Sequence, residues 1–274
     1  MKTNYLELNN AKIAYFEYGS GPNLLLIHGN LQNKKVFKKH QIEYFNNFHT
    51  FAIDSRGFGQ SISKNNEYSI DQYSEDIIDF CKKLGLNNTY VVGFSDGGNI
   101  CLFLAKKHPE IFTKIIAISP NYLASGLTDE IIKLQNKLYK IFLFLQKIKL
   151  PMKKVISKWE LMMKDIGIAD NDLKDIKTNM LIIHAENDLI KEEHILRIKE
   201  LIKDCKLKKI KNSKHSEIIN KEKTINEIIE TTSSPGYFIM KSEKSARKKT
   251  AFMQQYFSLL AIIKAKSNVK AIPT

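Results

Sequence analysis

The 274-residue sequence is 43% hydrophobic, which is enough to build one large domain with a substantial core. Its formal net charge of +14 suggests a polyanion partner, but segment 231–274 alone holds eight Lys or Arg against the single acid Glu243. The remaining +7 is spread over residues 1–230 among many acids, so no nucleic-acid partner is predicted.

The cysteines and the apolar runs bear on compartment. Cys81, Cys101 and Cys205 are odd in number and far apart in the chain, which favours a reducing compartment over a disulfide framework. The N-terminus alternates apolar and polar residues and lacks the apolar core of a signal peptide. Because the longest apolar run, residues 256–263, is under half of the roughly 20 residues that a bilayer span needs, we predict a cytoplasmic protein without stable membrane insertion.

The first predicted element is an antiparallel hairpin, because residues 5–8 and 13–18 alternate apolar and polar side chains. Short continuous apolar runs, typical of parallel strands buried on both faces, follow at 24–27, 50–53, 89–92, 115–118, 180–183 and 207–210. Segments of helical period lie between them at 70–84, 99–107, 192–203 and 216–230. This alternation predicts an α/β fold with a doubly wound parallel sheet.

A helical cap is predicted between the runs at 115–118 and 180–183. Residues 131–158 contain eight lysines and no acid, interleaved with Leu, Ile and Phe. We interpret this segment as helices with a solvated basic face and an apolar stripe toward the core, in preference to a membrane helix. Pro151 is expected to break it in two.

The sharpest chemical signal is Gly93-Phe94-Ser95-Asp96-Gly97, between a predicted strand and a predicted helix. A turn this tight strains its central residue, and the two glycines remove Cβ atoms that would clash. Ser95 is therefore the candidate nucleophile. The alternative is a glycine-rich turn with an incidental serine, because this pentapeptide pattern also occurs by chance.

A serine hydroxyl needs a base that takes its proton, so a histidine should lie at the carboxyl edge of the sheet. Of the seven histidines, His215 meets this criterion, since it follows the last predicted strand and opens the last predicted helix. His28 is expected to brace the loop after the third strand. The histidines expected to be surface or core residues are His40, His49, His108, His184 and His194.

Asp188 is the predicted acceptor that fixes the tautomer of His215, because it follows the strand at 180–183 on the same sheet edge. Glu186 is the nearby competitor, interpreted as a turn residue but left open by the sequence.

The oxyanion of an acyl-transfer reaction also needs hydrogen-bond donors. The backbone N–H of Asp96 is one candidate, and that of Asn30 is the first choice for the other, ahead of Leu31, because Gly29 lets their loop approach closely. The Asp96 carboxylate itself is expected at the start of a helix, where the helix dipole favours it. The alternative is that it faces the pocket and attracts a substrate amine.

With these residues placed, residues 4–230 resemble the α/β-hydrolase superfamily. The resemblance rests on five signals in chain order, namely His28-Gly29, the segment 54–61, the Ser95 elbow, Asp188 and His215. It implies an eight-stranded, mostly parallel sheet with helices on both faces, a cap after the sixth strand, and no cofactor or metal. In such proteins segment 54–61 is mainly a structural turn. The elbow is most similar to those of small esterase and lactonase-like members.

The resulting prediction is a serine hydrolase that cleaves a small to medium, partly apolar ester, thioester or similar acyl substrate through an acyl-enzyme. Alternatives are lactone opening, C–C bond hydrolysis, perhydrolysis, or a catalytically silent binding protein. A further alternative is a nucleic-acid or anionic-membrane binder that acts through the lysines of the cap and the tail, although residues 1–230 lack the usual RNA- or DNA-reading motifs. The expected partner is a small-molecule substrate, and the chain is expected to be a monomer or homodimer. The pocket is predicted between sheet and cap, with the candidate substrate-binding residues Leu31, Phe94, Phe142 and Trp159, and further lining by Leu123, Phe144 and Met163.

Two regions are predicted along the chain. Residues 1–230 form the hydrolase domain, with the cap inserted at about 121–178. Residues 231–274 form a basic C-terminal extension, for which the sequence leaves open a disordered tail, a fused segment, or a surface-binding helix at 250–264.

Overall fold

A computed structural model describes residues 1–232, so the predicted extension lies outside the described residues from residue 233 onward, with its candidate helix at 250–264. The strands in residues 1–232 are β1 (Asn4–Glu7), β2 (Ala11–Tyr18), β3 (Asn23–Ile27), β4 (His49–Ile53), β5 (Ile62–Ser63), β6 (Thr89–Phe94), β7 (Phe112–Ile118), β8 (Asn179–Asn187) and β9 (Cys205–Lys214). The α-helices in the same residues are α1 (Lys38–Glu43), α2 (Ile70–Leu84), α3 (Asp96–Lys107), α4 (Asp129–Lys147), α5 (Lys153–Leu161), α6 (Asp170–Lys174), α7 (Glu192–Leu201) and α8 (Glu222–Thr232).

One mixed sheet organises the domain, in the order β1-β2-β4-β3-β6-β7-β8-β9. β1 and β2 form the predicted antiparallel hairpin, and the strands from β4 to β9 along this order pair in parallel. The sheet has one strand more than the predicted eight, because the short β5 pairs with β2. The predicted α/β fold class is confirmed.

The sheet separates two hydrophobic cores. Successive residues of β3 alternate between them, since Leu25 and Ile27 belong to one core while Leu24 and Leu26 belong to the other. This alternation follows from the two-residue period of a strand, and it explains why the central strands are apolar throughout.

The cap lies between β7 and β8, and its lysine-rich segment divides at Pro151 as predicted, because proline cannot continue a helix. The buried stripe of α4 consists of Gln135, Leu138 and Phe142. The Phe142 ring meets the Trp159 ring of α5 edge to face at 5.1 Å, and the Trp159 indole N–H donates to the Gln135 carbonyl at 3.2 Å. No helix within residues 1–232 has the length and apolar character needed to cross a bilayer.

The predicted helix at 216–230 was wrong in its first turns. A turn at His215 leads into a 3₁₀ helix at Ile218–Asn220, and α8 begins only at Glu222. Ile218 and Ile219 are consecutive and both buried in the same core. The backbone of Lys221 is extended, with a φ of −73° and a ψ of 132°, so this turn and α8 are separate elements. His215 therefore lies on a loop rather than at a helix start.

Candidate active site

Ser95 lies at the turn between β6 and α3 with a φ of +55° and a ψ of −117°. Non-glycine residues rarely adopt positive φ, and here the surrounding packing enforces it. A Cβ at Gly93 would stand 2.0 Å from the Gly97 carbonyl oxygen, and one at Gly97 would stand 2.2 Å from the Ile27 carbonyl oxygen. The two glycines therefore allow α3 to pack against the end of β3 and hold Ser95 in this conformation.

A hydrogen-bonded series joins the three predicted residues across the carboxyl edge of the sheet. His215 Nε2 lies 3.1 Å from Ser95 Oγ, and His215 Nδ1 lies 2.6 Å from Asp188 Oδ1. The ring of Phe94, the residue before the serine, packs against the His215 ring with 5.0 Å between centroids. The imidazole is thus held between a hydroxyl and a carboxylate, the geometry in which it can accept the hydroxyl proton.

Asp188 is fully enclosed and accepts hydrogen bonds on both oxygens. Its backbone donors are the N–H groups of Leu189, Ile190 and Ala185. The Ser119 hydroxyl donates to Asp188 Oδ2 at 2.5 Å, and His184 Nδ1 lies 3.3 Å from the same oxygen.

These contacts fix the charge state of Asp188. Burial alone would raise the pKa of its carboxyl, but the His215 charge and the hydrogen bonds from His184, His215 and Ser119 together hold that pKa well below its usual range. The carboxylate therefore stays ionised and can stabilise an imidazolium.

Glu186, the competitor for this role, is exposed and accepts the backbone N–H of Asn212 at 2.7 Å. It braces the end of β9 before His215, while Asp188 contacts the imidazole itself.

The loop after β3 approaches Ser95 closely at Gly29, where an added Cβ would stand 3.0 Å from Ser95 Cβ. The buried His28 holds this loop, because its Nδ1 bonds the Gly29 carbonyl at 2.7 Å and its Nε2 accepts the Ser55 N–H at 3.1 Å. Both bonds suit a neutral imidazole, and burial lowers the pKa of His28. Both ring nitrogens of His28 are thus engaged in holding the loop. Asn30 and Leu31, whose N–H groups are the predicted oxyanion donors, follow Gly29 in this loop.

Asp96 is buried in the first turn of α3, next to Ser95. Its Oδ1 accepts a long bond from the Asn99 amide at 3.4 Å, while its Oδ2 has no hydrogen-bond partner among the described residues. Burial raises the pKa of Asp96 to about 6, against the opposing effects of Asn30, the His215 charge and Asn99. The Asn30 side-chain oxygen is likewise buried without a partner within residues 1–232. Two polar atoms beside the nucleophile are therefore left to meet a ligand or water.

The predicted substrate-binding side chains have different surroundings. Phe142 and Trp159 are each 1% exposed in the interior of the cap, and Phe94 backs His215. Leu31, at a φ of +58°, is partly buried against the core. Phe144 is 62% exposed, so its prediction as a pocket residue was wrong. It lies two positions after Phe142 on α4, about 200° around the helix, and therefore points away from the core.

Three contacts at the site were not predicted. Ser119 directly follows β7 at the carboxyl edge, so the criterion that selected Asp188 applies to it as well. His184 lies inside β8, and only the three-dimensional structure places its ring beside Asp188. Lys158 of α5 donates to the Gly57 carbonyl, and its ammonium lies 4.4 Å from the Phe58 ring centroid. No sequence signal distinguishes it from the other cap lysines.

Comparison with known proteins supports the fold. The family model described as the α/β hydrolase fold matches residues 22–146. The 2-(acetamidomethylene)succinate hydrolase of Mesorhizobium japonicum is 33% identical over 102 residues, which span 37% of this chain and 37% of that protein. A putative non-heme chloroperoxidase of Synechocystis is 33% identical over 110 residues, spanning 39% of this chain and 40% of the relative. The chain thus spans under half the length of these curated relatives.

Solved structures match over most of the described residues. A hydrolase from Pseudomonas aeruginosa superposes with a TM-score of 0.68 at 16% identity, over 85% of this chain and 98% of the other. A meta-cleavage product hydrolase from Pseudomonas fluorescens gives a TM-score of 0.66 at 20% identity, over 81% and 94% of the two chains. At these identities the match establishes the fold.

Proposed function

We propose that the chain is a member of the α/β-hydrolase superfamily and a serine hydrolase that cleaves acyl substrates through a covalent intermediate on Ser95. The observation that carries the proposal is the unbroken series from Ser95 Oγ through both nitrogens of His215 to Asp188 Oδ1, with distances of 3.1 and 2.6 Å. A histidine bonded on one side to a hydroxyl and on the other to an ionised carboxylate is the arrangement that activates a serine.

In the first half-reaction, Ser95 Oγ attacks the substrate carbonyl carbon while His215 Nε2 takes the hydroxyl proton. Asp188 stabilises the imidazolium that forms and keeps Nδ1 protonated, so that Nε2 is the basic nitrogen. His215 then returns the proton to the leaving group as the carbonyl–leaving-group bond breaks, and the acyl group stays on Ser95. In the second half-reaction water attacks the acyl-enzyme with His215 again as base, which releases the acid and restores Ser95.

The negative charge that develops on the carbonyl oxygen requires donors in fixed positions. We assign this role to the backbone N–H of Asp96, at the N-terminus of α3, and to that of Asn30 in the loop held by His28. The helix dipole of α3 adds positive potential at the same point. Loss of one such donor typically costs about 3 kcal/mol of barrier.

The surroundings of Ser95 favour a substrate that is only partly apolar. Phe94 packs against His215, and the buried Phe142–Trp159 pair forms the interior of the cap. Asp96 and Asn30 add buried polar atoms without protein partners in the described part of the chain. A small to medium ester or thioester with at least one polar substituent fits these surroundings. The relatives carry different substrate names, so they select no single substrate for this chain.

The proposal is tested by labelling the purified full chain with a fluorophosphonate probe, followed by p-nitrophenyl esters of increasing acyl length. Wild type should label at one serine, and Ser95→Ala should abolish both labelling and turnover. Ser63→Ala is the matched control, because Ser63 lies on β5 away from the site and should leave labelling unchanged.

Two results would count against the assignment. A folded wild type that neither labels nor hydrolyses any ester favours a silent binding protein. Labelling that persists in Ser95→Ala would show that a residue other than Ser95 is the nucleophile. If the probe labels Ser95 but esters are not turned over, lactones and C–C substrates are the next panel, because the same three residues serve those reactions.

A further inference from the structure

The outer face of α4 combines exposed apolar side chains with lysines. Five of these residues lie on a single stripe of the helix and its C-cap, because they are three, four, three and one positions apart in sequence. We call this stripe the cap patch, and it consists of Lys137, Lys140, Phe144, Lys147 and Ile148. Phe144 is 62% exposed and Ile148 is 55% exposed. The stripe lies opposite the buried Gln135, Leu138 and Phe142, so cap packing does not account for its apolar members.

This exposure is concentrated on one helix. Of nine exposed large hydrophobic side chains in residues 1–232, four lie on α4 or at its C-cap, with Leu134 and Leu143 flanking the patch. Scattered single apolar residues need no explanation on a protein surface, whereas a group of them indicates a contact.

The charge around the patch has one sign. Residues 131–159 contain no Asp or Glu, and the three lysines of the patch take part in no ion pair among those of residues 1–232. The turn after α4 adds the exposed Lys149, and the start of α5 adds the exposed Lys153 and Lys154. A partner for this surface must therefore be anionic and must also accept two bulky apolar side chains.

We propose that the cap patch docks on the surface of an anionic phospholipid bilayer, with Phe144 and Ile148 entering the headgroup region and the lysines meeting lipid phosphates. Interfacial helices of this kind combine an apolar edge with flanking lysines and do not span the membrane. A nucleic acid would satisfy the lysines but offers no apolar phase to the two hydrophobic side chains. A symmetric second copy would set lysines against lysines.

Docking at this patch would place the cap helices between the bilayer and the candidate site. α4 packs through Phe142 on Trp159 of α5, and the carbonyl of Lys158 in that helix bonds the Asn30 side chain beside Ser95. The patch and the candidate site thus lie on opposite sides of the same helix pair. The proposal does not require hydrolysis, so it stands or falls separately from the proposed function.

The experiment is vesicle flotation of the full chain, without substrate, on phosphatidylcholine vesicles with and without about 30% phosphatidylglycerol. Wild type should float only with the anionic vesicles. Replacing the three patch lysines by glutamine (Lys137→Gln, Lys140→Gln, Lys147→Gln) should weaken binding on the order of 100-fold, since each lysine near such a surface contributes about a fivefold factor. The pair Phe144→Asn and Ile148→Asn should weaken it roughly tenfold.

Matched controls separate the patch from net charge, and every variant keeps the same residues 233–274. The triple variant Lys203→Gln, Lys206→Gln, Lys211→Gln removes equal charge from exposed positions outside the cap, and Ile62→Asn removes an exposed side chain of β5. Both controls should bind within about twofold of wild type. Equal weakening by the control triple, no flotation of wild type, or full binding by the Phe144 and Ile148 variant would each overturn the proposal.

Discussion

The side-chain amide of Asn30 donates a hydrogen bond to the backbone carbonyl of Lys158, 3.0 Å away. Asn30 belongs to the loop that holds the proposed oxyanion donor, and Lys158 belongs to helix α5 of the cap. The two residues are 128 positions apart in sequence, yet this contact ties the cap to the loop beside Ser95. Movement of the cap and the geometry of the oxyanion site are therefore coupled.

Asn30→Ala should uncouple the cap from the loop beside Ser95. The backbone N–H of residue 30 remains, but the loop and α5 lose their shared bond, and we expect kcat/KM toward the best ester to fall about fivefold because one hydrogen bond contributes roughly 1 kcal/mol. Amide hydrogen exchange of α5 should become faster. Asn47→Ala, at an exposed position, is the control. An Asn30→Ala enzyme with unchanged exchange and unchanged kcat/KM would show that the bond has no role in positioning.

The roles assigned to Asp188 and Glu186 can be separated by isosteric amides. Asp188→Asn should reduce kcat/KM by about 10⁴-fold, because the neutral amide no longer enforces the correct His215 tautomer or stabilises the imidazolium. Glu186→Gln should reduce it no more than about threefold, since Glu186 only accepts the Asn212 N–H. Steady-state kinetics on one ester decides, and comparable losses in the two variants would contradict the assignment of the acid.

The buried Asp96 should destabilise the fold at neutral pH. Burial raises its pKa to about 6, so the folded protein holds this proton more tightly than the unfolded chain does. The stability associated with this group is therefore greatest below pH 4 and falls as the pH rises toward 6. The difference corresponds to on the order of 3 kcal/mol at pH 7.

Asp96→Asn should remove this cost. We expect a higher free energy of unfolding than wild type at pH 7, with the gap closing by pH 4, as measured by urea denaturation at both values. Asp175→Asn, at an exposed position, should leave the free energy of unfolding unchanged at both pH values. A variant less stable than wild type at pH 7 would mean that the carboxylate has compensating contacts. A buried carboxyl that lowers the stability of the fold beside the nucleophile is consistent with a role in binding substrate, such as pairing with an amine.

Gly97 tests how tightly the elbow is packed. The Cβ of Gly97→Ala would stand 2.2 Å from the Ile27 backbone oxygen, so α3 or β3 must shift, and we expect a loss of several kcal/mol in stability together with loss of probe labelling. Gly85→Ala is the matched control, since Gly85 ends α2 at a φ of +65° with no atom within 4 Å of the added Cβ. Its cost should stay near 1 kcal/mol. Urea denaturation gives both values, and equal losses would contradict the steric argument.

The sequence determined the fold class and the three residues of the series because each depends on local pattern and chain order. Apolar runs identified the strands, and polar residues just after those runs identified the carboxyl edge. Asp188 was the predicted acid, but Glu186 could not be excluded from the sequence, because the register shift between β8 and β9 decides which carboxylate faces His215. Helical periodicity alone also could not exclude Phe144 from the pocket, since the orientation of α4 depends on its packing against Trp159.

Ser119 is the residue that the same edge criterion should have identified, and its role can be tested. Its hydroxyl donates to Asp188 Oδ2 at 2.5 Å from a backbone with a φ of +51°, in a position to align the carboxylate with the imidazole. Ser119→Ala should lower kcat about 30-fold and leave KM nearly unchanged, because a hydrogen bond to a charged group contributes about 2 kcal/mol. Ser213→Ala removes a buried hydroxyl whose hydrogen bond within residues 1–232 is to the Ile210 carbonyl, and should alter kcat less than twofold. If Ser119→Ala instead raises KM and spares kcat, the hydroxyl acts on substrate binding rather than on the alignment of Asp188.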